Sequence, residues 1–334
     1  MAADTRKYTL WLLLLLGLLL FLNGIWAISI DAYKVFGFTN FNQRNFEPNT
    51  RFLKIEHLKL NKFDGFIIGS SRANFYPVEV AQRLTGYKFY NLNADSETTY
   101  GAYIKIHWLL KNNKPKMIVW ALDFDRFYLD PNQTNLPLLS IEHPDVSRQN
   151  KLLFFWKYFW PHPKHYLIAL YGNLIKHKTW YKFQVDTGEY KLPLFDRWMK
   201  KDINSYIKKR FPNAWNRSSP KPNQKQIEYF EKVIQLFKRE KIDFKILINP
   251  IHHLRFKSFD TKVYQDWLAA ITSIAGSVWD FSGLNSVTTN NSLYYENSHF
   301  TAKVGKLALD YVFNESQFRG HIPNDFGRRL TPDN

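Results

Sequence analysis

The run Phe66-Ile67-Ile68-Gly69-Ser70-Ser71-Arg72 decides how this chain is read. Three large apolar residues make a short buried strand, and a glycine with two serines ends it. In an open α/β sheet, reactive groups gather at the carboxyl ends of strands, where a turn of this kind would sit. A serine is a poor nucleophile until a neighbouring base takes its proton and a third group orients that base. Far downstream, Tyr295-Glu296-Asn297-Ser298-His299-Phe300 supplies a histidine with an acid three residues before it. Taken alone, Gly69-Ser70-Ser71 is explained as a tight turn with capping hydroxyls. Taken with His299, it points to chemistry.

Outward from this run, apolar segments alternate with amphipathic ones. Strands are expected at about residues 66–68, 89–92, 117–122, 244–248 and 278–281. Helices are expected at about 77–84, 98–111, 224–240, 262–274 and 301–313, with Ile227, Phe230, Val233, Ile234 and Phe237 sharing one helical face. Asn249-Pro250 stops the fourth strand. This rhythm predicts an α/β fold: a five-stranded parallel sheet with helices on both faces. Residues 31–60 read as a connecting segment, whose Phe36, Phe38, Phe41 and Phe46 suit packing on the domain, and 61–334 as the domain. Within it, about 130–222 breaks the rhythm and reads as an insertion dense in aromatic and basic residues. Examples are Phe154, Phe155, Trp156, Tyr158, Phe159, Trp160, Lys164, His165, Tyr166, Trp180, Tyr181 and Lys182. It ends in the turn-rich Asn216-Arg217-Ser218-Ser219-Pro220-Lys221-Pro222. Ordinary packing is its default role; sugar stacking and membrane-surface contact are the alternatives.

Residues 8–30 form an almost unbroken apolar run without charge. It exceeds the roughly 20 residues a membrane span requires. A cleaved signal peptide is disfavoured, because the run is long for one and Ile25-Trp26-Ala27 places a large residue where cleavage wants a small one. Arg6 and Lys7 precede the run, so residues 1–30 are expected to be a single-pass anchor with its N-terminus in the cytoplasm and the rest outside. The chain has no cysteine, which excludes disulfides, thiolate ligands and a cysteine nucleophile. Its formal charge of +17 suits anionic envelope polymers or lipid head groups. An external domain behind an anchor argues against nucleic acid as the partner.

The candidate residues take roles that follow from their chemistry. Ser71 is the expected nucleophile, with Ser70 in reserve, and the Ser71 N–H is one expected oxyanion donor. His299 is the expected general base, since imidazole exchanges protons near neutrality. Glu296 would hold the far ring nitrogen and fix the tautomer. Arg72 either binds an anionic substrate group or pairs with Asp123 or Asp125. His252 and His253, after the fourth strand, are expected to line the cleft. No further ligands stand at metal-binding spacing, so neither metal nor cofactor is expected.

These motifs resemble the SGNH (GDSL-like) hydrolase superfamily, and most nearly its membrane-anchored envelope branch, which includes the alginate O-acetylation proteins and the teichoic-acid D-alanylation protein DltD. Ser71 stands at the family's nucleophile and Glu296-Asn297-Ser298-His299 at its late Asp-x-x-His, with Glu for Asp. Asn91-Leu92-Asn93 stands at its Asn-Leu-Gly block, with Asn93 where the oxyanion glycine would be. The Gly-x-Asn-Asp block is absent, as is usual for this branch, and Trp120-Ala121-Leu122-Asp123-Phe124-Asp125 occupies its place. The resemblance covers about 60–128 and 225–314. It implies a three-layer α/β/α sandwich of flavodoxin-like type, with Asn93 donating its backbone N–H to the oxyanion. It implies acyl transfer or ester hydrolysis on an acylated cell-envelope polysaccharide, a membrane O-acyltransferase as partner, and a place in a bacterial cytoplasmic membrane with the domain periplasmic or extracellular. A membrane-tethered scaffold without turnover is the alternative, favoured by the altered second block, the absent third block and the Glu for Asp. An esterase acting on membrane lipid is a third.

Overall fold

The computed structural model describes residues 2–37, 49–131, 138–160, 181–211, 221–314 and 321–333, together with 164, 167 and 171. Phe38, Phe41, Phe46, His165, Tyr166, Trp180 and residues 216–220 therefore lie outside the described residues.

The chain begins with helix α1 (Ala2–Ile30), whose segment Thr5–Ile30 has a mean hydropathy of 2.4 and is long and apolar enough to cross a membrane. Asp31 ends it by accepting the N–H groups of Val35 and Phe36. Within the stretch expected to be a mere connection lies a second helix, α2 (Thr50–Leu60). The Asn49 side chain caps it, accepting from the Phe52 N–H at 3.1 Å. Its Ile55 and Leu58 are fully buried in the core of the domain. Arg51 and Lys54 are buried too, so the charges along α2 hid its inward face from a reading by hydrophobic period.

The sheet strands are β1 (Gly65–Gly69), β2 (Phe89–Asn91) and β3 (Met117–Leu122) before the insertion, with α3 (Val78–Thr85) and α4 (Thr99–Asn112) between them. The insertion carries α5 (Lys151–Tyr158), a hairpin of β4 (Lys182–Phe183) and β5 (Tyr190–Lys191), and α6 (Pro193–Lys201) with α7 (Ile203–Arg210). Then come α8 (Gln224–Arg239), β6 (Asp243–Ile248), α9 (Thr261–Ala275), β7 (Val278–Asp280), α10 (Ala302–Phe313) and β8 (Arg328–Leu330).

The sheet runs β2-β1-β3-β6-β7-β8. The first five strands are parallel, with Gly69 opposite Ala121 and Leu122 opposite Ile248, as the alternation of elements requires. The sixth, β8, is antiparallel to β7 and was not expected. It carries two arginines and no apolar rhythm. What places it is non-local: Arg328 pairs with the buried Asp280 at 2.7 Å, and Arg329 lies over the Trp279 ring.

Strand side chains alternate between two apolar clusters. Phe66, Ile68 and Trp120 join one with residues of α2, α4, α8 and α9; Ile67, Val119 and Leu247 join the other with α3 and α10. Two glycines set the spacing near the candidate site. Gly69 has φ +151°, and a Cβ there would lie 2.5 Å from the Ala121 carbonyl oxygen, so only glycine fits at the end of β1. A Cβ on Gly305 would lie 1.8 Å from the Phe75 carbonyl oxygen, so α10 closes directly onto the segment that follows Ser71.

Candidate active site

After Gly69 the backbone turns into a short 3-10 helix, Ser71–Phe75, with Ser70 as its cap. The histidine segment is shaped by a small antiparallel closure. Tyr294 bridges Phe300, and the Tyr295 N–H donates to the His299 carbonyl at 2.8 Å. Both segments leave the carboxyl ends of parallel strands, so they meet at one sheet edge.

Ser71 Oγ lies 2.8 Å from His299 Nε2. Glu296 Oε1 lies against His299 Nδ1 at short range. A carboxylate only accepts, so this contact places the ring proton on Nδ1 and leaves Nε2 to accept from the serine hydroxyl. The other carboxylate oxygen, Oε2, accepts the Ser298 N–H at 2.9 Å. Burial pushes the Glu296 carboxyl up, but the hydrogen bond and charge of His299, with the Ser298 N–H and the Arg72 charge, outweigh it. The group is held below the usual carboxylate range and stays ionised at neutral pH. Glu, one methylene longer than Asp, thus reaches the ring. Phe75 packs edge-on to the imidazole with centroids 5.9 Å apart, which limits how the ring can turn. Ser71, His299 and Glu296 each keep partial exposure.

Arg72 is buried, and of its two expected roles it takes the ion pair. Its Nη1 lies 2.7 Å from Asp123 Oδ1 and 2.9 Å from Asp125 Oδ1; Nη2 donates to Asp125 Oδ2 at 3.1 Å. Nε and Nη2 also reach the Ser298 carbonyl and hydroxyl, at 2.8 and 2.6 Å. No donor is left for a substrate anion. Burial disfavours the charged forms, but the opposed charges win, keeping the guanidinium charged and the Asp125 carboxyl below the usual range. Arg255 at 3.2 Å and Arg126 at 3.3 Å add two more cations to Asp125.

Ser70 is also withdrawn from chemistry. It is buried, donates to Asp123 Oδ2 and accepts the Arg72 N–H. Asn249, expected only as a strand stop, is fully buried and donates to Asp123 Oδ1 at 2.9 Å while accepting from the Tyr76 hydroxyl. Asp123 therefore organises three segments. The sequence offered Asp123 only as one of two possible partners for Arg72.

Asn93 requires a correction. Its backbone N–H, expected to face an oxyanion, donates to Asn91 Oδ1 at 3.1 Å. Its carbonyl and Oδ1 both accept from Lys54 Nζ, at 2.7 and 2.6 Å. The side-chain amide Nδ2 is the group of Asn93 left for a ligand. The neighbouring Ala94 N–H donates to the Gly69 carbonyl at 3.0 Å, which fastens this segment to the serine turn. Lys54, which the sequence did not single out, is buried. Burial and the nearby Lys105 lower its ammonium well below the ordinary lysine value.

His252 does not line a cleft. It is buried, caps a one-turn helix by accepting the Leu254 N–H, and bonds Asn291 at 2.8 Å. Burial lowers its pKa to about 4. Among the described residues no group of three or more His, Asp or Glu is arranged to hold a metal ion.

The insertion builds one wall. The Tyr206 hydroxyl donates to the Tyr295 carbonyl at 2.7 Å, and the Tyr295 hydroxyl to Asp196 at 2.7 Å. Asn74 exchanges two hydrogen bonds with the Tyr190 backbone, at 2.8 and 2.7 Å, docking the hairpin beside the serine helix. A cavity of about 360 Å³ lies between these parts, lined by Phe75, Tyr190, Leu192 and Tyr295 with Glu189 and Thr301 among its polar groups.

No family model and no curated protein matches this chain.

Proposed function

We propose that this protein is a membrane-anchored serine acyltransferase or esterase of SGNH type, with a three-layer α/β/α core. Its substrates are ester-linked acyl groups, acetyl first among them, on a cell-envelope polysaccharide. The observation that carries this is the continuous Ser71–His299–Glu296 relay. Ser71 Oγ attacks the ester carbonyl as His299 Nε2 takes its proton. The tetrahedral oxyanion collapses, and the departing alcohol takes that proton from Nε2, leaving an acyl ester on Ser71. Attack by water then gives hydrolysis; attack by a glycan hydroxyl gives transfer. Glu296 stabilises the imidazolium in both halves without being protonated itself.

The oxyanion needs donors. The Ser71 N–H stands at the first position of its 3-10 helix, where no intrahelical acceptor exists. The Asn93 Nδ2 amide takes the part expected of its backbone. The cavity of about 360 Å³ beside Tyr190 and Leu192 leaves room for an acceptor. A membrane O-acyltransferase would supply the acyl group. The serine and histidine standing within hydrogen-bond reach support this reading over the non-catalytic scaffold.

A fluorophosphonate probe tests this directly. It should label the full-length protein at Ser71, and Glu296→Gln should slow labelling by about 10²-fold or more. An intact protein that resists the probe would return the scaffold reading.

A further inference from the structure

Helix α5 bears large apolar side chains on both its inner and its outer face. Its inner face buries Phe154 and Tyr158 against Phe52, Tyr33 and Val35. Its outer face presents Leu152, Leu153 and Trp156, which are 81%, 64% and 57% exposed, followed by Trp160 at 48%. Its two lysines are exposed as well: Lys151 pairs with Asp145 at 2.9 Å, and Lys157 reaches the Ser140 carbonyl and Gln149. Exposed leucines and tryptophans with lysines beside them suit a lipid interface, and protein covers only the inner side of this helix.

Its position relative to α1 supplies the second observation. Lys7 is the last charge before the apolar run. A hydrocarbon core about 30 Å thick takes about 20 residues at roughly 1.5 Å each, so a span starting after Lys7 leaves the core near Ala27. Asn23 and Gly24 lie inside that limit by about 5 Å. Both touch the end of the α5 segment. Asn23 Nδ2 donates to the Phe159 carbonyl at 2.7 Å, and a Cβ on Gly24 would be in ordinary contact, 3.7 Å, with the Phe159 ring. Phe36 packs on Phe159 as well, with centroids 5.1 Å apart. A residue fixed to α1 at that depth brings Trp156 and Trp160 to the level where amphipathic aromatic rings settle.

We propose that the outer face of residues 151–160 is a membrane-interface surface, seated in the lipid head-group and upper acyl region beside α1. It makes a second, non-spanning attachment, so that the domain is held in one attitude over the bilayer instead of swinging on a single helix. The inference rests on α1 lying in a bilayer and is independent of the chemistry at Ser71.

The absence of cysteine makes the test direct. Full-length Leu152→Cys and Trp156→Cys, each carrying an environment-sensitive fluorophore, are reconstituted in vesicles of phosphatidylcholine and phosphatidylglycerol. Leu18→Cys within α1 and Glu228→Cys on the exposed side of α8 serve as controls. Spin-labelled lipid should quench positions 152 and 156 at least half as strongly as position 18, with shallow labels quenching more than deep ones. Position 228 should respond only to aqueous iodide. If 152 and 156 follow 228 while 18 is quenched by lipid, the surface is not in the membrane and the proposal fails. Shielding of 152 and 156 from both quenchers also overturns it, because a second copy of the chain then covers the face. Failure of position 18 to meet lipid would overturn the spanning role of α1 and the proposal with it.

Discussion

Arg72 Nε donates to the Ser298 carbonyl at 2.8 Å, so the residue after Ser71 holds the residue before His299. The same guanidinium is fixed to Asp123 and Asp125. The serine turn and the histidine segment are thus clamped through a buried ionic cluster, and their alignment does not depend on the Ser71–His299 contact alone.

Removing the clamp should be costly. Arg72→Met leaves Asp123 and Asp125 buried with fewer counter-charges, which costs about 3 kcal/mol or more. The melting temperature should fall by several degrees, and ester hydrolysis should fall with it as Ser298 loses its anchor. Asp125→Asn added to Arg72→Met should recover part of the stability, because the two changes remove one interaction. Additive losses in thermal melts would show that the pair is not coupled.

The two serines should behave differently. Ser71→Ala should remove about 10³-fold or more of the activity on a small acetyl ester and leave the melting temperature nearly unchanged. Ser70→Ala should keep measurable activity yet lower stability by about 1–3 kcal/mol, since Asp123 loses a buried donor. Full activity in Ser71→Ala with loss in Ser70→Ala would reverse the assignment.

Asn93→Asp separates the amide from the rest of Asn93. It retains an acceptor for Lys54 and removes the Nδ2 donor. The expected outcome is a kcat lower by about 10²-fold with little change in KM, as for loss of one oxyanion donor. Steady-state kinetics with unaltered kcat would remove Asn93 from the oxyanion site.

Stability should depend on pH through His252. Its folded pKa is lowered from 6.5 to about 4 by burial. Between those values the unfolded chain binds a proton that the folded chain does not, so stability is complete above pH 6.5 and is lost as pH falls toward 4. The loss from this group is roughly 3 kcal/mol. His252→Asn keeps a capping side chain and removes the titration, so its melting temperature should decline less over this window. Equal slopes for the two proteins would show that His252 does not carry the effect.

The sequence by itself determined the elements whose signal is local. The long uncharged run beginning at Tyr8 specifies α1, because about 20 apolar residues need no partner to be recognised. The five parallel strands are apolar stretches between turn residues, and the parallel order follows from the helices between them. That Ser71, Glu296 and His299 come together was legible because a serine, an acid and a histidine stood after strands whose carboxyl ends share one edge. The tertiary structure decided what depends on partners distant in the chain. Strand β8 lies against β7 where Arg328 meets the buried Asp280. The Asn93 N–H is taken by Asn91 and the Arg72 guanidinium by two carboxylates, which no spacing rule reveals. Burial is the physical reason: a polar group shut away from water must find its partner inside the fold, and which partner it finds depends on packing.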